Sequence, residues 1–190
     1  FPTNRSTVRI NYIKNLKSVD PFSAGYSKGR KSAVNQAIKN GLYCKNLDHS
    51  EDLIELHRRF YTKGQLRSER ELKKLTELVE VLKTKDKVDI LGVYDRDKNL
   101  IGGAVFTKHH NRVTYLFSVQ SADGRKKQAL SFLIDYALHF YGQKFEIFDF
   151  EGSMNKKIAS FFKSFGVEEE HYFHYRSSYT QLFQEIVKTK

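Results

Sequence analysis

Between Val88 and Gln120 the helical spacing of apolar residues gives way to three extended runs, VDILGVYD, LIGGAVFTK and VTYLFSVQ. Only the short polar turns at Asp97-Lys98-Asn99 and His110-Asn111 separate them. Turns this short join antiparallel neighbours. The chain must therefore build around a three-stranded meander, and every other segment has to extend or cover it.

Those other segments alternate in type. Val8, Ile10 and Tyr12 alternate within residues 7–13, as a strand requires. Residues 26–40 set Ala33, Val34, Ala37 and Ile38 on one helical face, and Gly41 follows where a helix end needs a left-handed residue. Residues 42–47 suit a short strand. Asp48 or Ser50 can cap a helix whose apolar face is Leu53, Ile54, Leu56, His57 and Phe60. Ser68 and Glu71 have the spacing of a capping box, and Leu72, Leu75, Leu78, Val79 and Leu82 keep helical period behind them. After the meander the sequence predicts a helix over 129–141, a strand over 145–150 and a helix over 155–165 closed by Gly166. A strand over 171–179 and a short helix over 181–188 end it. Strands interleaved with helices in this order predict an α/β (α+β) layer fold around a mixed sheet.

Composition narrows the function. The 190 residues fit one domain or lobe, with 39% apolar and 14% aromatic residues to fill its core. No apolar run approaches the roughly 20 residues that span a bilayer, and none at the start resembles a signal peptide. The single cysteine, Cys44, excludes an intrachain disulfide and fits a cytoplasmic setting. The chain opens on Phe1 and its only methionine is Met154, so either residues were removed or it is part of a longer polypeptide. Residues 1–25 then read as a connecting or edge segment from a preceding lobe. The net charge of +11 is uneven: residues 1–45 carry nine Lys/Arg against Asp20 alone. Such a basic end favours nucleic acid, phosphorylated ligands or a membrane surface.

Two segments carry a resemblance. Asn155-x-x-Ile158-Ala159-x-Phe161-Phe162-Lys163-Ser164-Phe165-Gly166-Val167 resembles the Asn…Ala…Leu-Tyr…Gly-Phe helix of the GNAT acyltransferase superfamily. FDFEGSMNKKIASFFKSFG and the basic segment YSKGRKSAVNQAIKNGL are similar to one lobe, the C-terminal one, of the bacterial Fem-type (FemAB-like) aminoacyltransferases. The matches run in the right order over most of residues 26–180. The resemblance implies a mostly antiparallel sheet with helices on both faces, filling residues 1–190 as one lobe. It implies a cytoplasmic N-acyltransferase that moves an acyl or aminoacyl group from acyl-CoA or aminoacyl-tRNA to an amine. It further implies a second lobe or a homodimer as partner. The alternatives are a scaffold lobe without catalysis and a basic nucleic-acid-binding domain.

The site follows from what amide formation needs: an amine deprotonated, an oxyanion stabilised and a leaving group protonated. Asp149 and Glu151 alternate along one strand and share a face, opposite Phe148 and Phe150, so either could serve as base or amine anchor. Tyr175 and Tyr172 on the last strand could donate to a substrate. If the strand bulges as in the family, amides at Ser118, Val119 and Gln120 would bind the acyl carbonyl. Gly124, Arg125, Lys126 and Lys127 would face a phosphate, and Asn155 would open the following helix. Two features depart from the family. The segment SVQSADGRKKQAL fails the Gln/Arg-x-x-Gly-x-Gly/Ala pattern that holds a coenzyme A diphosphate. Phe162 stands where a Tyr would protonate the leaving thiolate, and it has no proton to give. His109-His110 has no metal-site spacing, and no metal is expected. All of this rests on one expected geometry, two central strands parting beside residues 120–127.

Overall fold

The computed structural model describes residues 6–17, 22–60 and 68–175. Seven strands form one sheet: β1 (Ser6–Asn15), β2 (Tyr43–Asn46), β3 (Val88–Tyr94), β4 (Leu100–His109), β5 (Arg112–Gln120), β6 (Ile147–Gly152) and β7 (Glu168–Tyr175). Their order is β2-β3-β4-β5-β6-β1-β7. Every pairing is antiparallel except β5 with β6. The meander is therefore β3-β4-β5, at the positions its three apolar runs predict.

Helices cover both faces. On one side α1 (Lys28–Lys39), α5 (Ala129–Gly142) and α6 (Lys156–Lys163) close a core containing Tyr12, Phe106, Leu133, Ala137, Phe148 and Phe150. On the other, α2 (Glu51–Phe60) and α3 (Glu69–Lys83) cover Val88, Ile90, Val105, Phe117 and Val119. The ends follow local chemistry. Ser68 Oγ accepts the Glu71 N–H at 3.3 Å and the Glu71 carboxylate accepts the Ser68 N–H at 2.8 Å, the reciprocal capping box. Such a cap is worth about 1 kcal/mol. Gly166 closes α6 at φ 67°, where a Cβ would sit 2.3 Å from the Gly25 carbonyl oxygen.

Three differences from the sequence reading have physical causes. β1 is no edge: it lies between β6 and β7, and β7 pairs along it from Ser6↔Tyr175 to Ile13↔Glu168. Strand β7 begins at Glu168, earlier than its aromatic run suggests, because charged Glu168–Glu170 also pair with β1. A one-turn helix, α4 (Ala122–Lys126), fills the connection after β5. The helix expected at 181–188 and the strand beyond Tyr175 lie outside the described residues.

Among the described cations of residues 1–45, Lys14 and Arg30 are built into the fold. Lys14 is buried, and its ammonium donates to the Phe165 and Gly166 carbonyls at 2.9 and 3.0 Å, at the end of α6. Burial pushes its pKa down, with Glu168 opposing. Arg30 lies 4.3 and 4.5 Å from the Phe161 and Phe165 ring centres, and its Nε donates to Ser164 Oγ at 2.9 Å.

Candidate active site

β5 and β6 pair over only three positions, Arg112↔Ile147, Val113↔Phe148 and Thr114↔Asp149. Beyond these the strands part. β5 stays with β4 as far as Gly102↔Gln120, while β6 stays with β1 as far as Asn11↔Gly152. A wedge opens in mid-sheet, bounded by one strand edge on each side. It begins earlier than the sequence suggests, at Tyr115 and Phe150 rather than beside the turn at 120–127.

Two irregularities shape the wedge. In β5, Phe106 opposes Tyr115 and Val105 opposes Phe117, so Leu116 is an extra residue. A bulge of this kind switches the faces that follow. Val113 and Tyr115 belong to the α5 side, whereas Phe117 and Val119 belong to the α2 side. The bulge was expected at Ser118–Gln120; it lies at Leu116, where three apolar side chains in a row give no sign of a break in alternation. In β6 the pairing with β1 shifts between Ile13↔Asp149 and Asn11↔Gly152. There Glu151 takes a left-handed backbone, φ 59°, a conformation costly for a residue with a Cβ. The simple alternation that sets Asp149 and Glu151 on one face ends at this bulge.

The wedge is open on both faces. On the α2 side is a cleft of about 370 Å³, lined by His57, Phe117, Phe150, Glu151, Ser153 and the bulge residue Leu116, among others. On the α5/α6 side is a cleft of about 330 Å³, lined by Gln120, Leu130, Lys157 and Phe161. Tyr115, Ser118, Ile158 and Phe162 line both. Phe162 packs edge-on to Tyr115, ring centres 6.3 Å apart. His57 packs edge-on to Phe117 at 5.7 Å. Apolar spacing on α2 marks His57 as inward-facing, and it is buried; nothing in the sequence says that it faces a cleft.

The structure separates the expected site residues. Ser118, Gln120 and Glu151 line the wedge. Asn155 caps α6, its Oδ1 accepting the Lys157 N–H at 2.9 Å. Asp149 acts from behind: it binds Arg112 at 2.7 Å, and its other oxygen accepts the Glu151 N–H at 2.7 Å. Arg112 also reaches Glu170 on β7 at 3.2 Å, and Asn11 donates to the same carboxylate at 3.1 Å. The Arg112 and Asn11 hydrogen bonds hold the Glu170 carboxyl below its ordinary pKa. Tyr175 and Tyr172 are exposed on β7 and line neither cleft; Tyr175 pairs with Ser6, well beyond the last β6 position. Val119 points into the α2-side core.

The turn after β5 is largely spent on the fold. Ser121 Oγ accepts the Gly124 N–H at 2.9 Å and the Ser121 carbonyl accepts the Arg125 N–H at 3.0 Å. A Cβ on Gly124 would lie 2.0 Å from the Ile101 carbonyl oxygen. Lys127 is held by Asp123 at 2.7 Å and by buried Asp95 at 3.0 Å. Burial alone would raise the Asp95 pKa, but bonds from Lys127 and Asn99 outweigh it and hold the carboxyl low. Gly124 and Lys127 are thus tied into the fold, while Arg125 and Lys126 are not held in this way. His109 and His110 sit at the β4–β5 turn, away from the wedge, with His110 at φ 51°.

No family model matches the sequence, and no curated protein matches it by sequence. Solved structures do match by fold. FemX aligns at TM-score 0.75 with 13% identity, over 94% of this chain and 64% of its own. The C-terminal domain of a protein assigned as a lysylphosphatidylglycerol synthetase, from Agrobacterium fabrum, aligns at 0.63 with 11% identity, over 97% and 66%. A tandem GNAT protein from the clavulanic acid biosynthesis pathway aligns at 0.52 with 12% identity, over 93% and 56%. The chain thus spans less than two thirds of each of these proteins. The fold is GNAT-like, of the kind seen in a Fem-type lobe.

Proposed function

We propose that this lobe transfers an acyl or aminoacyl group from an activated donor to an amine across the wedge between β5 and β6. The observation that carries the reading is the three-residue β5–β6 pairing, which leaves two clefts on opposite faces sharing Tyr115, Ser118, Ile158 and Phe162. Two reactants entering from opposite faces would meet over that shared wall, the arrangement a two-substrate transfer needs.

The donor enters on the α5/α6 side, where Lys157 is the one charged residue lining the cleft among the described residues. The amine enters on the α2 side beside Glu151 and His57. The amine nitrogen attacks the acyl carbon, the bond from that carbon to the leaving oxygen or sulfur breaks, and an amide forms. The proton lost by the amine goes to Glu151 or His57, and the protonated side chain returns it, directly or through water, to the leaving oxygen or sulfur. The β5 edge beyond Thr114, freed from β6, faces the developing oxyanion. Asp149 positions Glu151 through its backbone N–H.

The donor class we favour is aminoacyl-tRNA. Phe162 cannot protonate a thiolate, and the turn after β5 departs from the glycine pattern of a diphosphate loop. A polyanionic donor would find Lys156 and Lys157 at the start of α6, with Arg125 and Lys126 nearby in sequence to that turn. Incubating the protein with labelled aminoacyl-tRNA or acyl-CoA and a pool of amines tests this directly. Amide product should form from aminoacyl-tRNA at least tenfold faster than from acyl-CoA. Absence of product from both donors, with no shift in melting temperature from either, overturns the transferase reading.

A further inference from the structure

Building on that reading, we infer that the acceptor is a primary amine carried on an apolar body, such as an alkyl or arylalkyl chain. The α2-side cleft combines one carboxylate with a wall of rings. Glu151 stands exposed at its lip, and Phe117, Phe150 and Phe162 form buried walls behind it. Among the described residues no Lys or Arg lines it. The cleft wall also includes Ile158, 44% exposed, and Leu116. An acceptor polar along its length would leave these apolar surfaces against water and its own polar groups without partners. An acid as acceptor would face Glu151 with like charge.

The two parts of the ligand should contribute unequally. An exposed carboxylate binding an ammonium ion gains little, because water screens the pair. Nearby ring faces add some attraction for the cation. Together they should favour an amine over the matching alcohol by about fivefold. Each methylene placed against the rings should add more, about twofold to fourfold in affinity until the cleft is full. Length and apolarity would then select the acceptor, and the charge would orient it.

The test is titration of the ¹⁵N-labelled protein with ethylamine, n-butylamine and n-hexylamine, and with 1-hexanol and hexanoate, at neutral pH. The expected result is affinity rising about twofold to fourfold per methylene through the amines. Hexylamine should exceed hexanol about fivefold, with shifts centred on Phe117, Phe150 and Glu151. Glu151→Gln should remove the advantage over hexanol. Ile158→Ser should lower the gain per methylene, with a larger loss of affinity for hexylamine than for ethylamine. A flat series in the wild type, a preference for hexanol or hexanoate, or shifts centred elsewhere would overturn the inference. The outcomes stay separable from those of the parent reading. Amines that bind as described but never become acylated leave this inference standing and remove the transferase. Acylation that is indifferent to chain length does the reverse.

Discussion

The two mouths of the wedge share four wall residues yet differ in charge. Among the described residues, the α2-side mouth carries Glu151 and His57 and no Lys or Arg, while the α5/α6-side mouth carries Lys157 and no acid. Both differences trace to irregular backbone. The extra residue Leu116 turns Phe117 toward α2 and leaves Ser118 and Gln120 on the α5/α6 side. The left-handed turn at Glu151 sets its carboxylate at the lip rather than in the strand's simple alternation. One broken strand pairing therefore yields two unlike entrances, one suited to a cation and one to an anion.

The largest expected effect comes from removing the acid from its mouth. Glu151→Gln should lower the transfer rate about 10²-fold while donor affinity stays within twofold, read from initial rates and from donor titration. An equal loss of donor affinity would show that the two entrances are one. Reversing the other mouth should give the opposite split. Lys157→Glu should weaken a polyanionic donor about tenfold and leave amine binding unchanged, and the difference should shrink as salt rises.

A smaller effect separates function from strain at the same residue. Glycine accepts a left-handed backbone without penalty, so Glu151→Gly should be as inactive as Glu151→Gln yet about 1 kcal/mol more stable to urea. A loss of stability would mean that the Glu151 side chain supports the fold rather than the chemistry. The smallest effect concerns the network behind the lip. Glu170 has its pKa lowered in the fold by Arg112 and Asn11. Its contribution to stability is thus complete above the unfolded carboxylate pKa and is lost as pH falls through the lower, folded value. Urea midpoints followed from neutral pH into acid should drop less steeply for Glu170→Gln than for the wild type.

Much of the scaffold was legible because its signals are local. The short turns fix the meander, Ser68 and Glu71 declare a helix start, and Gly41 and Gly166 mark helix ends at positive φ. The site was legible only in part. Glu151 was found through the strand–turn–helix resemblance, but its partners depend on contacts distant in sequence. His57 reads as an ordinary core position on α2, and only the wedge gives it a cleft to face. Asp149 reads as a second carboxylate of the site, but Arg112, 37 residues away, takes its charge. Lys127 reads as a phosphate ligand, and Asp95, 32 residues away, holds it instead. Tyr175 reads as a donor on the last strand, but β1 lies between that strand and β6. A bulge leaves no mark where apolar residues stand on either side of it, so Leu116 gave no warning.

Ser118 lines both clefts and lies on β5 beyond its last pairing with β6, and so a single substitution there can test the wedge itself. Ser118→Trp should fill the shared wall. With the melting temperature within a few degrees of the wild type, it should abolish donor binding, amine binding and amide formation together. A folded Ser118→Trp protein that still joins donor to amine at the wild-type rate would contradict the account.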